Sequence, residues 1–235
     1  MSPQTRERVL GELGMVYDPE LDEPITDLRF VSSCEVTADG DVEVRLRLPT
    51  PQCAPNFAFL MAADARAAAH RVPGVRAVTV VLEDHYTGDE INQAMARGEG
   101  FVGAFPGETD DDELAALRGR FQRKALVARQ AEVCEALLET GVAPEELTAL
   151  RVAEVPAGPA FSRCLELRRE LCIAADPAAP AFVRADGGSL DASELPRWLR
   201  MARLIRTSLE ANGGICRALL AARLGLPDRE KEIAT

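Results

Sequence analysis

Aromatic residues are scarce in this sequence, at 5% of 235 positions, and no uninterrupted apolar run approaches the roughly 20 residues that a membrane-spanning helix needs. The opening stretch MSPQTRERVLGELG also lacks the apolar core of a secretory leader. A soluble, cytoplasmic protein is therefore expected. Positive charge is short as well: 27 Lys and Arg stand against 38 Asp and Glu, for a formal net charge of -11. The averaged field of such a chain repels phosphates, which excludes nucleic acid and anionic membrane surfaces as general partners. There are only two histidines, and the six cysteines include no CxxC pair. A zinc knuckle or a self-sufficient four-cysteine cluster motif is thereby excluded. In a reducing compartment Cys34, Cys53, Cys134, Cys164, Cys172 and Cys216 are expected to remain thiols.

Hydrophobic residues nevertheless make up 47% of the chain, enough for real cores, and the length suits two small domains. Residues 5–15 place Val9, Leu10 and Leu13 on one helical face, followed by the proline-punctuated acidic loop VYDPELDEP. From Ile25 the text reads as strand, then the turn TADGD, then VEVRLRL with alternating Val42, Val44, Leu46 and Leu48, which predicts an antiparallel hairpin. A helix to about His70, a Pro-Gly turn and a third strand, VRAVTVVLE, complete a helix-hairpin-helix-strand unit. Next come a polar, glycine-rich connection with a short helix over 88–96 and one long helix with Thr109 as N-cap and Gly141 as stop. Two final helices are expected over 192–211 and 215–224, separated by NGG. The fold class is α+β: residues 1–106 form a small α+β domain, and residues 107–235 a mainly α-helical one.

Cys53 draws attention by its position. The strand ending at Leu48 runs through Pro49, Thr50, Pro51 and Gln52 to Cys53, and Pro55 suits the first turn of the next helix. Helix N-termini present unpaired N–H groups that favour anions, so this strand-to-helix turn suits a reactive or metal-binding thiolate. A small buried apolar side chain is the alternative role.

The combination of DPELDEPITDL, the hairpin, the LPTPQCAP turn and RVPGVRAVTVVLE resembles the metal-sulfur cluster assembly domain of SufT-like and PaaD-like proteins, over residues 5–83. Asp18, Pro19, Glu20, Asp27, Leu28, Thr50, Cys53, Pro73, Gly74 and Val75 match the family pattern, while Arg29 stands where glycine is common and Ala54 separates Cys53 from Pro55. The resemblance implies that the acidic loop and the cysteine turn come together, and that such a protein delivers iron or an iron-sulfur cluster to a client enzyme without turnover. Cys53, Asp18 and Glu20 are then the metal-ligating candidates, a soft thiolate beside hard carboxylates. Asp18 and Glu20 can instead brace their loop. Thr50 and Asp27 are read as supports of the turn, Asp27 from the start of a strand. One cysteine cannot hold a stable cluster, so a homodimer or the client is expected to complete a transient one. Other iron-sulfur assembly proteins are expected partners too. PaaD-like relatives imply a multicomponent oxygenase as the kind of client, with a di-iron centre or a reductase carrying an iron-sulfur cluster. Two other readings stand beside this: a metal-independent adaptor or folding chaperone, and an enzyme with Cys53 as nucleophile.

Weaker metal candidates are His85, in the carboxylate-rich LEDHYTGDE, and Cys216, read as lying exposed at the start of the last helix. His85 in a solvated loop is the alternative. His70 reads as a helix C-terminal cap. Cys164 and Cys172, eight apart, are expected to share one buried helical face, with Cys134 in the core as well. The basic RWLRMARLIR reads as amphipathic packing or a protein-docking face.

Overall fold

The computed structural model describes residues 3–107 and 111–225. Within them the chain divides into two compact units, one built from residues up to 116 together with those from 212 onward, the other from residues 117–211.

The first unit opens with α1 (Pro3–Leu13), then β1 (Val31–Val36), β2 (Asp41–Arg47), α2 (Pro55–His70), β3 (Ala77–Glu83), α3 (Gly88–Arg97) and α4 (Phe101–Ala104). β1 and β2 are antiparallel, with Cys34 opposite Val44 and Val36 opposite Val42. Their turn closes through Thr37, whose N–H donates to the Asp41 carbonyl and whose Oγ1 accepts from the Asp41 N–H at 3.1 Å. β3 lies parallel to β2, pairing Val42 with Val78 and Leu46 with Leu82, so the sheet order is β1-β2-β3. The alternation at Val42, Val44, Leu46 and Leu48 and at Val78, Val80 and Leu82 buries one face of this sheet. α2 covers it with Met61 and with Ala58, Ala62, Ala65, Ala68 and Ala69, small side chains that let helix and strands approach closely, and α1 packs on α2. A parallel pair needs such a crossover, which is why the cysteine turn stands between β2 and α2.

Two expectations for this unit are corrected. Residues 25–30 are not strand: Leu28 N–H bonds the Pro24 carbonyl and Phe30 N–H the Ile25 carbonyl, a run of turns that plugs Ile25, Leu28 and Phe30 into the core. Apolar spacing alone could not separate this plug from a strand. Arg29 adopts φ +60° here, the left-handed conformation that glycine takes without steric cost. Asp27 accordingly sits exposed in a turn, its nearest side-chain partner being the Thr26 hydroxyl at 3.4 Å.

The second unit is assembled from α5 (Asp111–Glu139), α6 (Pro144–Leu147), a short 3-10 turn (Val152–Glu154), α7 (Pro159–Glu170) and α8 (Leu195–Leu224), of which α5 and α8 also contribute their first and last turns, respectively, to the first unit. Gly141, at φ +94°, terminates the turn after α5 as expected, whereas the anticipated Thr109 cap lies outside the described residues. Leu126, Val127, Cys134, Leu137, Phe161, Cys164, Leu167, Phe182, Val183, Trp198 and Ala202 form the core. Arg168 is wholly buried in it and donates to the carbonyls of Pro180 (2.9 Å), Ala181 (2.5 Å) and Ala174 (3.3 Å). Beside it the buried Gln130 accepts from Val183 N–H at 2.8 Å and donates to its carbonyl at 3.1 Å, so two side chains pin the loop after α7. Cys172 departs from expectation: α7 stops at Glu170, so Cys172 is exposed at φ +56° and off the buried face that carries Cys164.

The last helix is also longer than anticipated. α8 runs through Gly213 and Gly214 without a break, and its residues from 212 onward pack with the first unit.

Candidate functional site

At the end of β2 the chain passes through the buried Leu48 and Pro49 into residues 50–53. Cys53 N–H closes the turn on the Thr50 carbonyl at 3.4 Å, and Thr50 Oγ1 lies 3.6 Å from Cys53 Sγ. Ala54 is extended, at φ -59° and ψ 128°, as a residue preceding proline must be, and Pro55 then starts α2. Cys53 thus stands half-exposed just ahead of a helix N-terminus.

The loop after β3 braces this turn. His85 Nε2 lies 2.7 Å from the Cys53 carbonyl, and Tyr86 N–H donates to the Pro51 carbonyl at 3.0 Å. On its other side His85 Nδ1 accepts from the Thr87 N–H at 3.3 Å and faces the Thr87 hydroxyl at 3.1 Å. Burial lowers the pKa of this ring against the opposing bond to Cys53, and the positive Arg223 adds to the lowering. A neutral imidazole protonated on Nε2 satisfies every contact. Both ring nitrogens are engaged, so His85 is a brace of the cysteine turn in this arrangement, neither a solvated loop residue nor a free ligand.

The acidic loop is shaped by its own first carboxylate. Asp18 Oδ1 accepts from the N–H groups of Glu20 (2.8 Å) and Leu21 (2.9 Å), while Asp18 N–H reaches the Glu23 carbonyl and Asp22 N–H the Asp18 carbonyl. Asp18 is buried, and burial is the main reason its carboxyl titrates at about 6 rather than 3.8; the charges of Glu20 and Glu23 push the same way against the two N–H bonds. Glu20 is only half-buried. Of the acids predicted from the sequence, Asp18 is thus committed to its loop and Glu20 is the more available carboxylate.

The end of α8 completes the neighbourhood. Arg217 pairs with Glu23, whose carboxylate lies against the Cα of Gly213 where a Cβ would intrude. One turn past Leu220, Arg223 donates to the carbonyls of Leu48 at 2.8 Å and Asp84 at 3.1 Å, the residues on either flank of the cysteine turn and its brace. Cys216 lies between these anchors, half-buried in mid-helix. The expectation of an exposed, anion-friendly thiol at a helix start is therefore wrong. No free N–H groups surround it, and burial together with the charges of Asp18, Cys53 and Glu20 pushes its pKa up to about 11. That the last helix belongs here was missed from sequence. Its signal was the pair of cations Arg217 and Arg223 on the last helix of an acidic chain.

Among the described residues, no three His, Cys, Asp or Glu side chains converge closely enough to hold a metal ion by themselves. No helix among them is long and apolar enough to cross a membrane.

Comparison with known proteins places this unit. Residues 6–80 match the family described as iron-sulfur cluster assembly protein. An uncharacterized protein of Methanocaldococcus jannaschii is 33% identical over 95 residues, 40% of this chain and 98% of the relative. The Fe-S protein maturation auxiliary factor of Porphyromonas gingivalis is 33% identical over 101 residues, 42% of this chain and 94% of that protein. An iron-sulfur cluster carrier protein of Mycobacterium bovis is 42% identical over 71 residues, 30% of this chain but only 18% of the carrier.

Proposed function

Because this chain belongs to the iron-sulfur cluster assembly protein family through its first unit, we propose that it serves as an accessory factor that receives iron or an iron-sulfur cluster at Cys53 and hands it to a client metalloenzyme. The observation that carries this reading is the setting of Cys53. A half-exposed thiol is held ahead of a helix N-terminus by the Thr50 turn on one side and His85 on the other. Thiolate is a soft ligand that suits iron and iron-sulfur clusters. A single thiolate, with Glu20 proposed as an added carboxylate, holds cargo weakly, which suits a carrier that must release what it binds. In this reading Asp18 and His85 position the loop and the turn, Thr50 and Asp27 support the local backbone, and the protein performs no catalytic turnover of its own. The cargo's remaining ligands come from the client, from another iron-sulfur assembly protein or from a second copy of the chain. The residues beyond 107 are the proposed client-recognition part, and a multicomponent oxygenase with an iron centre is the kind of client proposed, in the cytoplasm.

One observation favours a second reading. Asp18 spends its carboxylate on the backbone of Glu20 and Leu21, as a loop shaped for protein docking would, so a metal-independent adaptor or chaperone is the alternative. Transfer separates the two. Chemically reconstituted wild-type protein is expected to restore the visible absorption of an apo-ferredoxin acceptor, and Cys53→Ala to fail. Equal restoration by both proteins would remove Cys53 from the carrier role, and restoration by neither would transfer the assignment to the adaptor.

A further inference from the structure

The carrier reading rests on a single thiol, Cys53, yet α8 brings a second thiol toward the same place. Three contacts fix the end of that helix. Arg217 pairs with Glu23 of the acidic loop, Gly213 lets the helix backbone close onto the Glu23 carboxylate, and Arg223 is tied to the Leu48 and Asp84 carbonyls that flank the cysteine turn. Cys216, Leu220 and Arg223 follow one another at helical spacing along one side of α8, Leu220 being buried and Arg223 seated on the turn's flanks. The face that carries Cys216 is therefore turned toward the space between the acidic loop and the Cys53 turn.

We propose that Cys216 and Cys53 form a two-thiol clasp for a thiophilic metal, iron in the assembly role, with the remaining positions left to a client or a second copy. The clasp rests on the carrier reading of Cys53 and adds to it the chain's own second ligand, supplied by a helix beyond the matched residues 6–80. Asp18, Glu20 and Cys53 all lie within electrostatic range of Cys216, so a divalent cation there meets negative groups from both segments. Binding exchanges two S–H protons for two metal–sulfur bonds, both protons leaving to solvent, with no change of oxidation state. Two thiolates from opposite elements also give a route for release, because loosening α8 from Glu23 removes one ligand and leaves the metal on Cys53 alone.

The test is anaerobic titration of the full, metal-free chain with cadmium, read by thiolate-to-metal charge-transfer absorption and by proton release into weak buffer. Wild type, Cys53→Ser, Cys216→Ser and the exposed-thiol control Cys172→Ser are compared. The wild type and the control are expected to bind one cadmium with two thiolates and two protons released. Each of the other variants is expected to show half the charge-transfer intensity and an affinity about 100-fold lower or more, since even outer-shell changes cost about 10–100-fold. A Cys216→Ser protein that titrates like wild type while Cys53→Ser loses binding overturns the clasp and leaves the carrier reading standing. Wild-type behaviour in both variants overturns the clasp and the carrier reading together. Independently of any variant's folding, dibromobimane should bridge Cys53 to Cys216 in the wild type, and recovery of both residues only in unbridged peptides contradicts the proposal.

Discussion

Asp18 gives the sharpest handle on the architecture of the acidic loop. Its carboxyl is raised from 3.8 to about 6, first by burial and then by Glu20 and Glu23, against the opposing bonds from the N–H groups of Leu21 and Glu20. In the unfolded chain the same group ionises near 3.8, so between that pH and about 6 the folded protein holds the extra proton. Stability from this group is therefore fully present below about pH 4 and is lost as pH rises through about 6. At about 1.4 kcal/mol per pH unit the loss amounts to about 3 kcal/mol. Asp18→Asn keeps an oxygen acceptor for both N–H groups and removes the titration. Metal-free wild type and variant should be compared by hydrogen exchange of peptides covering residues 16–30 in graded urea, because with two compact units a single global unfolding energy is not well defined. The variant is expected to be no more protected than wild type at pH 4 and better protected at pH 8, the difference moving by about 3 kcal/mol between them. A difference that does not change with pH, or a variant less protected at pH 8, would refute the reasoning.

His85 should titrate below 6.5 and carry its proton on Nε2 at neutral pH; because the folded pKa is depressed, its contribution to stability is present above 6.5 and lost as pH falls through the folded value, and an NMR midpoint above 6.5 would contradict the brace. Arg168→Leu leaves the carbonyls of Ala174, Pro180 and Ala181 without their donor, so Trp198 fluorescence should report a second unit destabilised by about 2–4 kcal/mol, and a loss under about 1 kcal/mol would count against the network. Iodoacetamide should label the exposed Cys172 well before Cys34, Cys134 and Cys164, whose burial also pushes the Cys34 and Cys134 thiols up, and equal labelling rates by mass spectrometry would contradict that core.

The elements around the site were legible in the sequence where one physical signal dominated. Strict alternation at Val42, Val44, Leu46 and Leu48 specified β2 and its buried face, and the prolines around Cys53 marked the strand-to-helix turn. Residues 25–30 were misread because apolar side chains in consecutive turns can reach a core at the same spacing as a strand. NGG at 212–214 reads locally as a break between helices, yet Gly213 is there for the close approach of Glu23, a contact between residues far apart in the chain that no local window contains. The same holds for His85: a loop of acids around a histidine reads as solvated until the turn it bonds is placed beside it.

The central claim is that Cys53 carries the cargo. It is tested most directly by iron and acid-labile sulfide content, with absorption spectra, of anaerobically reconstituted wild type beside Cys53→Ala. Iron and sulfide retained by wild type and lost from the variant are the predicted result. Equal content in the two proteins, or none in either, would contradict the account.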